Sequence, residues 1–326
     1  MDVEGTPGAA RAPAAERLSD DPDALSLAAA LDELSARPVR DTRASRTAAR
    51  GVGLLQRAVS WGPFGQVAEI AWQVGRRDAS IAGSVLAAAI AYRIFILFLP
   101  LGFFLVAALG TYADASATEP SEVLETAGIV GYFADSIADA SGAITGLGRV
   151  IALVVSGTLV LYETFLLLRT LRVVSALAWR VHAHAFTRPL APTLGFLGLT
   201  AAAVVAAQAM SPLKASLGDT TGLALGLALL LVLPAYWLAM SAWLLPHAAR
   251  RWVELLPGAI LFGGGFAALH VFYALVLFPW LDRKEEAYGV LGVAAGLLFG
   301  FFLTGRTMEL AASLNAVLVE RRADRS

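Results

Sequence analysis

Six stretches of the sequence are long, apolar and almost free of charged residues. A helix needs about 20 residues to cross the roughly 30 Å hydrocarbon layer of a bilayer, and every stretch is at least that long. They cover residues 81–110, 147–170, 190–211, 221–245, 255–280 and 287–311. Charged residues make up only 16% of the chain, whereas soluble domains carry about 25%. The sequence therefore predicts an all-α fold, a polytopic membrane bundle of six transmembrane helices.

The segments outside these stretches predict two tails and a surface helix. Residues 1–58 are rich in Ala and Arg and poor in large apolar residues, which predicts a disordered cytoplasmic tail. Residues 59–78 carry apolar side chains at helical spacing, which predicts an amphipathic helix at the membrane interface. The transmembrane domain then covers 79–315, and 316–326 form a second cytoplasmic tail.

Positive residues in the connections predict the orientation of the bundle. Residues 111–146, the first connection, contain no Lys or Arg but several acids, whereas the N-terminal flank and the second connection are rich in Arg. Because positive residues concentrate in cytoplasmic loops, both termini are predicted to be cytoplasmic in a multi-pass cell-membrane protein. The fifth connection is mixed, since Arg283 and Lys284 stand beside acidic residues.

Several functional classes are disfavoured by what the sequence lacks. The chain has no cysteine, which excludes disulfides, thiolate metal ligands and cysteine nucleophiles. A net charge of −1 argues against a nucleic-acid partner. His182 and His184 are two residues apart, so a helix would not turn them toward one metal ion. We expect no catalytic residues, no metal and no cofactor, and therefore not an enzyme.

Two opposite charges lie inside the first two stretches. Arg93 and Glu163 fall at similar depth when each stretch is built as a helix with a 1.5 Å rise per residue. An unpaired charge in hydrocarbon costs at least ~2.5 kcal/mol, so we hypothesise that the two pair across the helices and line a polar cavity open to the cytoplasm. In the alternative, Arg93 extends to the lipid headgroups while Glu163 pairs with Arg169 or Arg172.

His270 and two prolines are further candidates within the stretches. The pKa of histidine is near neutrality, so His270 could carry protons, although a hydrogen bond to a neighbouring helix is the alternative. Pro100 and Pro234 each remove a backbone hydrogen bond and should kink their helices.

Glycines recur every four residues in the sixth stretch, at Gly292, Gly296 and Gly300. Such a stripe lets helix backbones approach closely. It fits packing within one subunit and also a homo-oligomer.

Beginning at Ala91-Tyr92 and Pro100, the sequence resembles the YihY/BrkB family of bacterial inner-membrane proteins, once mislabelled ribonuclease BN. Further matches follow in the family's order: Pro234 and Tyr236, Pro257-Gly258-Ala259, Tyr273, Tyr288-Gly289, Leu291-Gly292 and Glu309. The resemblance covers about residues 60–315. In two places the chain departs from the pattern: Arg93 replaces the family's second tyrosine, and the asparagine often found after the second span is missing from LRVVSALAW.

The resemblance implies six helices, an inner-membrane location and a transport role without an established substrate. It adds Tyr92, Tyr273 and Glu309 to the candidate cavity residues, and Pro257 and Gly258 to those that shape or pack the helices. A transporter or translocator of lipids or small solutes is therefore the predicted function, with membrane lipids as partners. A non-transporting scaffold for envelope assembly is the alternative.

Overall fold

The computed structural model of the protein describes residues 62–116, 146–182, 189–209 and 221–324, and the predicted disordered tail 1–58 lies outside them. Within these ranges, side chains are described except at 62–64, 113–114, 116, 207–209, 221–230, 274, 277–291 and 293. This part of the chain is helical, with turns and bends between the helices.

Seven α-helices follow one another in the described ranges. They are α1 Gly62–Ser80, α2 Gly83–Ser116, α3 Gly146–Trp179, α4 Leu190–Ala209, α5 Thr221–Trp243, α6 Leu256–Phe272 and α7 Phe278–Ala323. A 3-10 turn, Trp252–Leu255, leads into α6, and a π-helical turn, Tyr273–Leu277, joins α6 to α7. Helices satisfy their own backbone hydrogen bonds, which is what an apolar segment requires inside a bilayer.

Four helical segments are long and apolar enough to cross a membrane: Gly83–Tyr112, Gly146–Trp179, Trp252–Phe272 and Ala294–Ala323. The described parts of α4 and α5 contribute two shorter apolar segments, Leu190–Ala206 and Leu231–Trp243. The predicted class, an all-helical multi-pass membrane protein, is therefore confirmed. The count is four where the sequence predicts six, because the third and fourth predicted spans include residues whose side chains lie outside the description.

The chain divides into two compact units, Met1–Arg76 and Arg77–Ser326. The described part of the first unit is most of α1, where Gln73 Nε2 donates to Glu69 Oε1 at 3.1 Å, one helical turn away. The second unit holds the last residues of α1 and all the other helices.

In the second unit, α2 packs against α3 and α7, and α6 packs against α5 and α7. The core between them is apolar and aromatic. The rings of Trp237 and Phe262 stack with their centroids 4.6 Å apart. Other core members are Ile90, Leu168, Leu171, Phe196, Met240 and Ala311. A second cluster gathers Ala178, Trp179, Leu255, Ala312 and Ala316.

Two helices continue beyond the ends of the predicted spans. The predicted tail 316–326 is helical as far as Ala323, and Ala316 and Val317 are buried. The second predicted span ends at 170, whereas α3 continues to Trp179 and buries Leu171, Val174 and Ala178. Apolar residues at helical spacing continue across both predicted boundaries, so packing inside the protein extends these helices beyond the length that a bilayer requires.

The end of α3 is marked by a residue in the left-handed region, Arg180, with φ 52°. Val181 N donates to Ala176 O at 2.9 Å and Arg180 N to Leu177 O at 3.2 Å, which closes the last turn. Ala82, with φ 54°, makes the break between α1 and α2 in the same way.

Candidate functional site

The structure brings Arg93 and Glu163 together across α2 and α3. Arg93 Nη1 lies 3.6 Å from Glu163 Oε2, and the side chains are 33% and 13% exposed. At this distance the contact is electrostatic, because Glu163 Oε2 is buried and accepts no hydrogen bond in the described part of the chain. The two helices therefore hold a charged pair whose side chains are close but do not form a hydrogen bond with each other.

The surroundings of this pair are partly open. The guanidinium carbon of Arg93 lies 5.9 Å from the ring centroid of Tyr92, within range of a cation–π contact. Tyr92 itself is exposed. The alternative partner Arg172 donates from Nη1 to Leu244 O at 2.6 Å, at the end of α5. Arg169 is exposed on α3.

Glu309 belongs to a second charged group, which we call the Arg306 cluster: Asp78, Arg306, Glu309 and Ser313. Arg306 Nη1 and Nη2 lie 2.5 and 3.2 Å from the two carboxylate oxygens of Asp78. Arg306 Nη1 also lies 3.2 Å from Glu309 Oε2, and Ser313 Oγ donates to Glu309 Oε1 at 2.7 Å. The Glu309 side chain is 0% exposed. One guanidinium thus serves two carboxylates, with a hydroxyl completing the set.

Two features show how tightly the Arg306 cluster is built. A methyl group placed on Gly83 would overlap the Asp78 carboxylate and contact the Glu309 carboxyl carbon, so glycine is needed for the close approach. The hydrogen bonds from Arg306 hold the pKa of Asp78 below its usual value. Asp78 is therefore ionised in its pair with Arg306 at neutral pH.

Arg77, the neighbour of Asp78, forms a parallel link. Its side chain is buried, forms an ion pair with Glu320 near the end of α7, and donates from Nη1 to Ala178 O at 2.8 Å. Carbonyl groups in the last turn of a helix lack backbone partners and carry partial negative charge, which a guanidinium satisfies. Residues 77 and 78 thus tie the end of α1 to α3 and α7.

Asn315 joins α7 to the start of α6. Its Oδ1 accepts from Gly258 N at 2.6 Å, and its Nδ2 donates to Leu255 O at 3.0 Å. Gly258 is needed there because a methyl group would overlap Ala311 O and the Asn315 side chain. Pro257 opens α6, where a missing backbone N–H costs nothing.

The remaining predicted residues are spread over other parts of the bundle. Tyr273 Oη donates to Gly300 O at 2.8 Å, so the glycine stripe meets a residue of the same chain there. Gly296 is buried, Gly292 is half-buried and His270 is exposed. Pro234, inside α5, packs so closely on Gly263 of α6 that a methyl group at Gly263 would overlap it. Pro100 is buried inside α2.

A cavity of about 320 Å³ lies elsewhere, among α4, α5, α6 and α7. The residues that line it are Thr200, Ala203, Val204, Val232, Leu233, Tyr236, Phe262, Phe266, Thr304 and Met308. None of the six predicted cavity residues is among them. A polar cavity beside Arg93 and Glu163 stays a prediction.

Sequence reasoning missed most of the polar contacts. Arg306, Arg77, Asp78 and Asn315 are not among the candidate residues that the sequence predicts. Arg149, also missed, is buried at the start of α3 and donates to Gly110 O in α2 at 2.8 Å. A signal was available for one of them: Arg306 stands three residues before an intramembrane acid, a spacing that puts both on one helix face. In the described residues no group of three or more metal-ligating side chains occurs.

Comparison with protein families decides the affiliation of the chain. Residues 78–326 match the family described as Virulence factor BrkB, which is most of the sequence and all of the second unit except its first residue. The protein belongs to the BrkB family. The resemblance predicted from the sequence is confirmed, and the Arg93–Glu163 pair and the Arg306 cluster both lie inside the region matched to BrkB. Comparison with curated proteins and comparison with solved structures each gave no match.

Proposed function

We propose that this BrkB-family protein moves a lipid or small solute across the membrane, with the Arg93–Glu163 pair in its path. The pair carries the proposal. Ionisable groups inside membrane helices are costly and commonly mark the route of a substrate or ion. Here the pair is 3.6 Å apart and leaves a third of the Arg93 side chain exposed, and none of the described residues donates a hydrogen bond to Glu163 Oε2.

This geometry favours exchange of partners over a permanent structural bridge. A guanidinium that is not committed to its carboxylate can bind a phosphate or carboxylate on a substrate. Glu163 in turn can receive a cation or a substrate donor when Arg93 moves. Tyr92, beside Arg93, offers an aromatic face to a positive group.

The proposal includes the finer topology. It has six spans, with α4 and α5 as the third and fourth, an inner-membrane location and both termini in the cytoplasm. Support comes from the apolar segments of α4 and α5 and from the Arg-rich connections. In this arrangement α1 is an interfacial helix, and Arg77 and Arg306 lie at the cytoplasmic side. Membrane lipids are the partners, and neither catalysis nor nucleic-acid binding is part of the role.

Flux across liposome membranes tests the function. Purified full-length protein is reconstituted, and movement of labelled lipids and small solutes is compared for wild type, Arg93→Ala and Glu163→Ala. We expect each variant to lower flux roughly tenfold, because it removes one charged contact to the substrate, worth about 1.5 kcal/mol. Arg169→Gln is the matched control: it removes an exposed arginine from the same helix as Glu163 and should leave flux unchanged.

Two outcomes would contradict the proposal. Flux equal to that of empty liposomes for every lipid and solute would favour the scaffold instead. Flux that persists in both the Arg93 and Glu163 variants would remove the pair from the path.

A further inference from the structure

The cavity among α4, α5, α6 and α7 is built by four helices and reaches from the surface of the bundle into its core. Val204, on its wall, is 58% exposed, which marks an opening toward the outside of the bundle. Phe262, also on its wall, is 1% exposed and stacks on the buried Trp237. A space of about 320 Å³ thus opens on the outer surface of the bundle beside Val204 and has an aromatic floor.

The walls are apolar apart from three hydroxyl groups, and the proton of each hydroxyl is already used. Thr200 Oγ1 donates to Phe196 O at 2.9 Å. Since that spends the only hydroxyl proton of Thr200, its 3.3 Å contact with Tyr236 must be a hydrogen bond donated by Tyr236. Thr304 Oγ1 donates to Gly300 O at 3.2 Å. No charged side chain is among the described residues that line the cavity.

This chemistry discriminates between ligand classes. An ion, a sugar or a lipid headgroup would lose its hydration in the cavity and find no free donor or charge to replace it, which costs several kcal/mol. A hydrocarbon chain loses nothing of that kind and gains contact with the aliphatic and aromatic walls. In the proposed topology α4 crosses the bilayer, so lipid hydrocarbon chains surround the exposed Val204 at the opening of the cavity.

We propose that this cavity binds an acyl chain of a membrane lipid, with the headgroup remaining outside it. The site deepens the proposed function, on which its role in transport rests, because it names a lipid and not a polar solute as the substrate class. Tail binding in the cavity and headgroup binding at Arg93 are separate contacts made by separate residues.

Photolabelling within liposomes tests the proposal. Full-length protein is reconstituted with a phospholipid that carries a diazirine near the end of one acyl chain, and the labelled peptides are mapped by mass spectrometry. We expect label on the segments containing Thr200–Val204 and Phe262–Phe266. A second probe, with the diazirine in its headgroup, should leave these segments unlabelled.

Two neighbouring alanines provide a matched pair of variants. Ala203→Phe fills the cavity, whereas Ala202→Phe adds the same ring at an exposed position of the same helix. Label in the cavity segments should fall roughly tenfold in Ala203→Phe, because the displaced tail loses its contact with the walls, and should persist in Ala202→Phe. Ala203→Leu, a smaller filling, serves if the phenylalanine variant does not fold.

The outcomes separate this site from the transport proposal. Tail label that is spread over the exposed faces of the helices and insensitive to Ala203→Phe and Ala203→Leu would overturn the acyl-chain site. If labelling responds to the filling variants but no lipid moves in the flux assay, the site stands and the transport function fails. Labelling should also persist in Arg93→Ala, which alters the ion pair and not the cavity.

Discussion

The two charged groups of the bundle differ in how firmly they are held. In the Arg306 cluster, nitrogen–oxygen distances run from 2.5 to 3.2 Å and Ser313 adds a hydrogen bond to the fully buried Glu309. In the Arg93–Glu163 pair the distance is 3.6 Å, and no residue that the structure describes donates a hydrogen bond to Glu163 Oε2. Buried charges stabilise only with good geometry and satisfied hydrogen bonds, so we expect the first group to hold helices together and the second to contribute less to stability.

The position of each group agrees with that difference. The Arg306 cluster joins the end of α1 to α7. Arg77, next to Asp78 in α1, makes a second link, to Glu320 of α7 and to the end of α3. The Arg93–Glu163 pair joins two helices that already pack along their length, so it adds little that packing does not supply. The proposed transport function uses both kinds of contact, one that keeps helices together and one that can open.

Removing Arg306 should have the largest effect on stability. In Arg306→Met the Asp78 and Glu309 carboxylates lose their shared counter-charge, and breaking a buried pair costs about 3–5 kcal/mol. We expect about 3 kcal/mol here, since the Arg306 side chain is 24% exposed. Thermal unfolding in detergent would measure it. The triple variant Asp78→Leu, Arg306→Met, Glu309→Leu should recover most of the lost stability. An Arg306→Met variant as stable as wild type would show that the Arg306 cluster does not stabilise the bundle.

The close packing of α6 on α7 offers a second test. Gly258→Ala would push a methyl group into Ala311 O and the Asn315 side chain, and overpacking of this kind costs about 1–3 kcal/mol. Gly264→Ala on the same helix is the control, because nothing lies within 4 Å of its added methyl group. It should be neutral or slightly stabilising, as alanine favours helix more than glycine does. Equal unfolding temperatures for the two variants would contradict the contact at Gly258.

A double-mutant cycle at Arg93 and Glu163 should give a smaller coupling energy than the same cycle at Asp78 and Arg306. We expect roughly 1 kcal/mol for the former, since polar contacts between membrane helices are modest and this one lacks a hydrogen bond. The single variants Arg93→Gln and Glu163→Gln, and both together, are compared by thermal unfolding. Strictly additive losses would show that the two charges do not interact. A coupling energy larger than that between Asp78 and Arg306 would contradict the conclusion that the Arg306 cluster is the more firmly held group.

The weakest expected effect is on pH dependence. The pKa of Asp78 is below its usual value because of Arg306, so the stability that its ionisation contributes is present above about pH 4, the unfolded value. It is lost as the pH falls through the lower folded value. The difference in unfolding temperature between wild type and Asp78→Asn should therefore be constant near neutrality and shrink below about pH 4. A difference that grows on acidification would contradict the pairing.

The order of the residues along the chain was enough to place this protein in its class and family. Long apolar stretches must become helices in a bilayer because no water is present to satisfy the backbone, and that argument needs no tertiary information. It also sufficed to bring Arg93 and Glu163 to the same depth, since the helical rise is constant. The structure, by placing these two side chains 3.6 Å apart, adds the geometry of that pair.

Only tertiary structure could show which groups meet across long distances in the chain. Arg306 reaches Asp78 over 228 positions, and Arg77 reaches Glu320 over 243. These contacts depend on how each helix is rotated about its axis and on how closely glycines let backbones approach. The sequence pattern does not define how the bundle packs around them, because α2, α3, α5 and α6 are apolar on nearly every face. The apolar cavity is hidden for the same reason, since a void is a property of four helices together and of no single one of them.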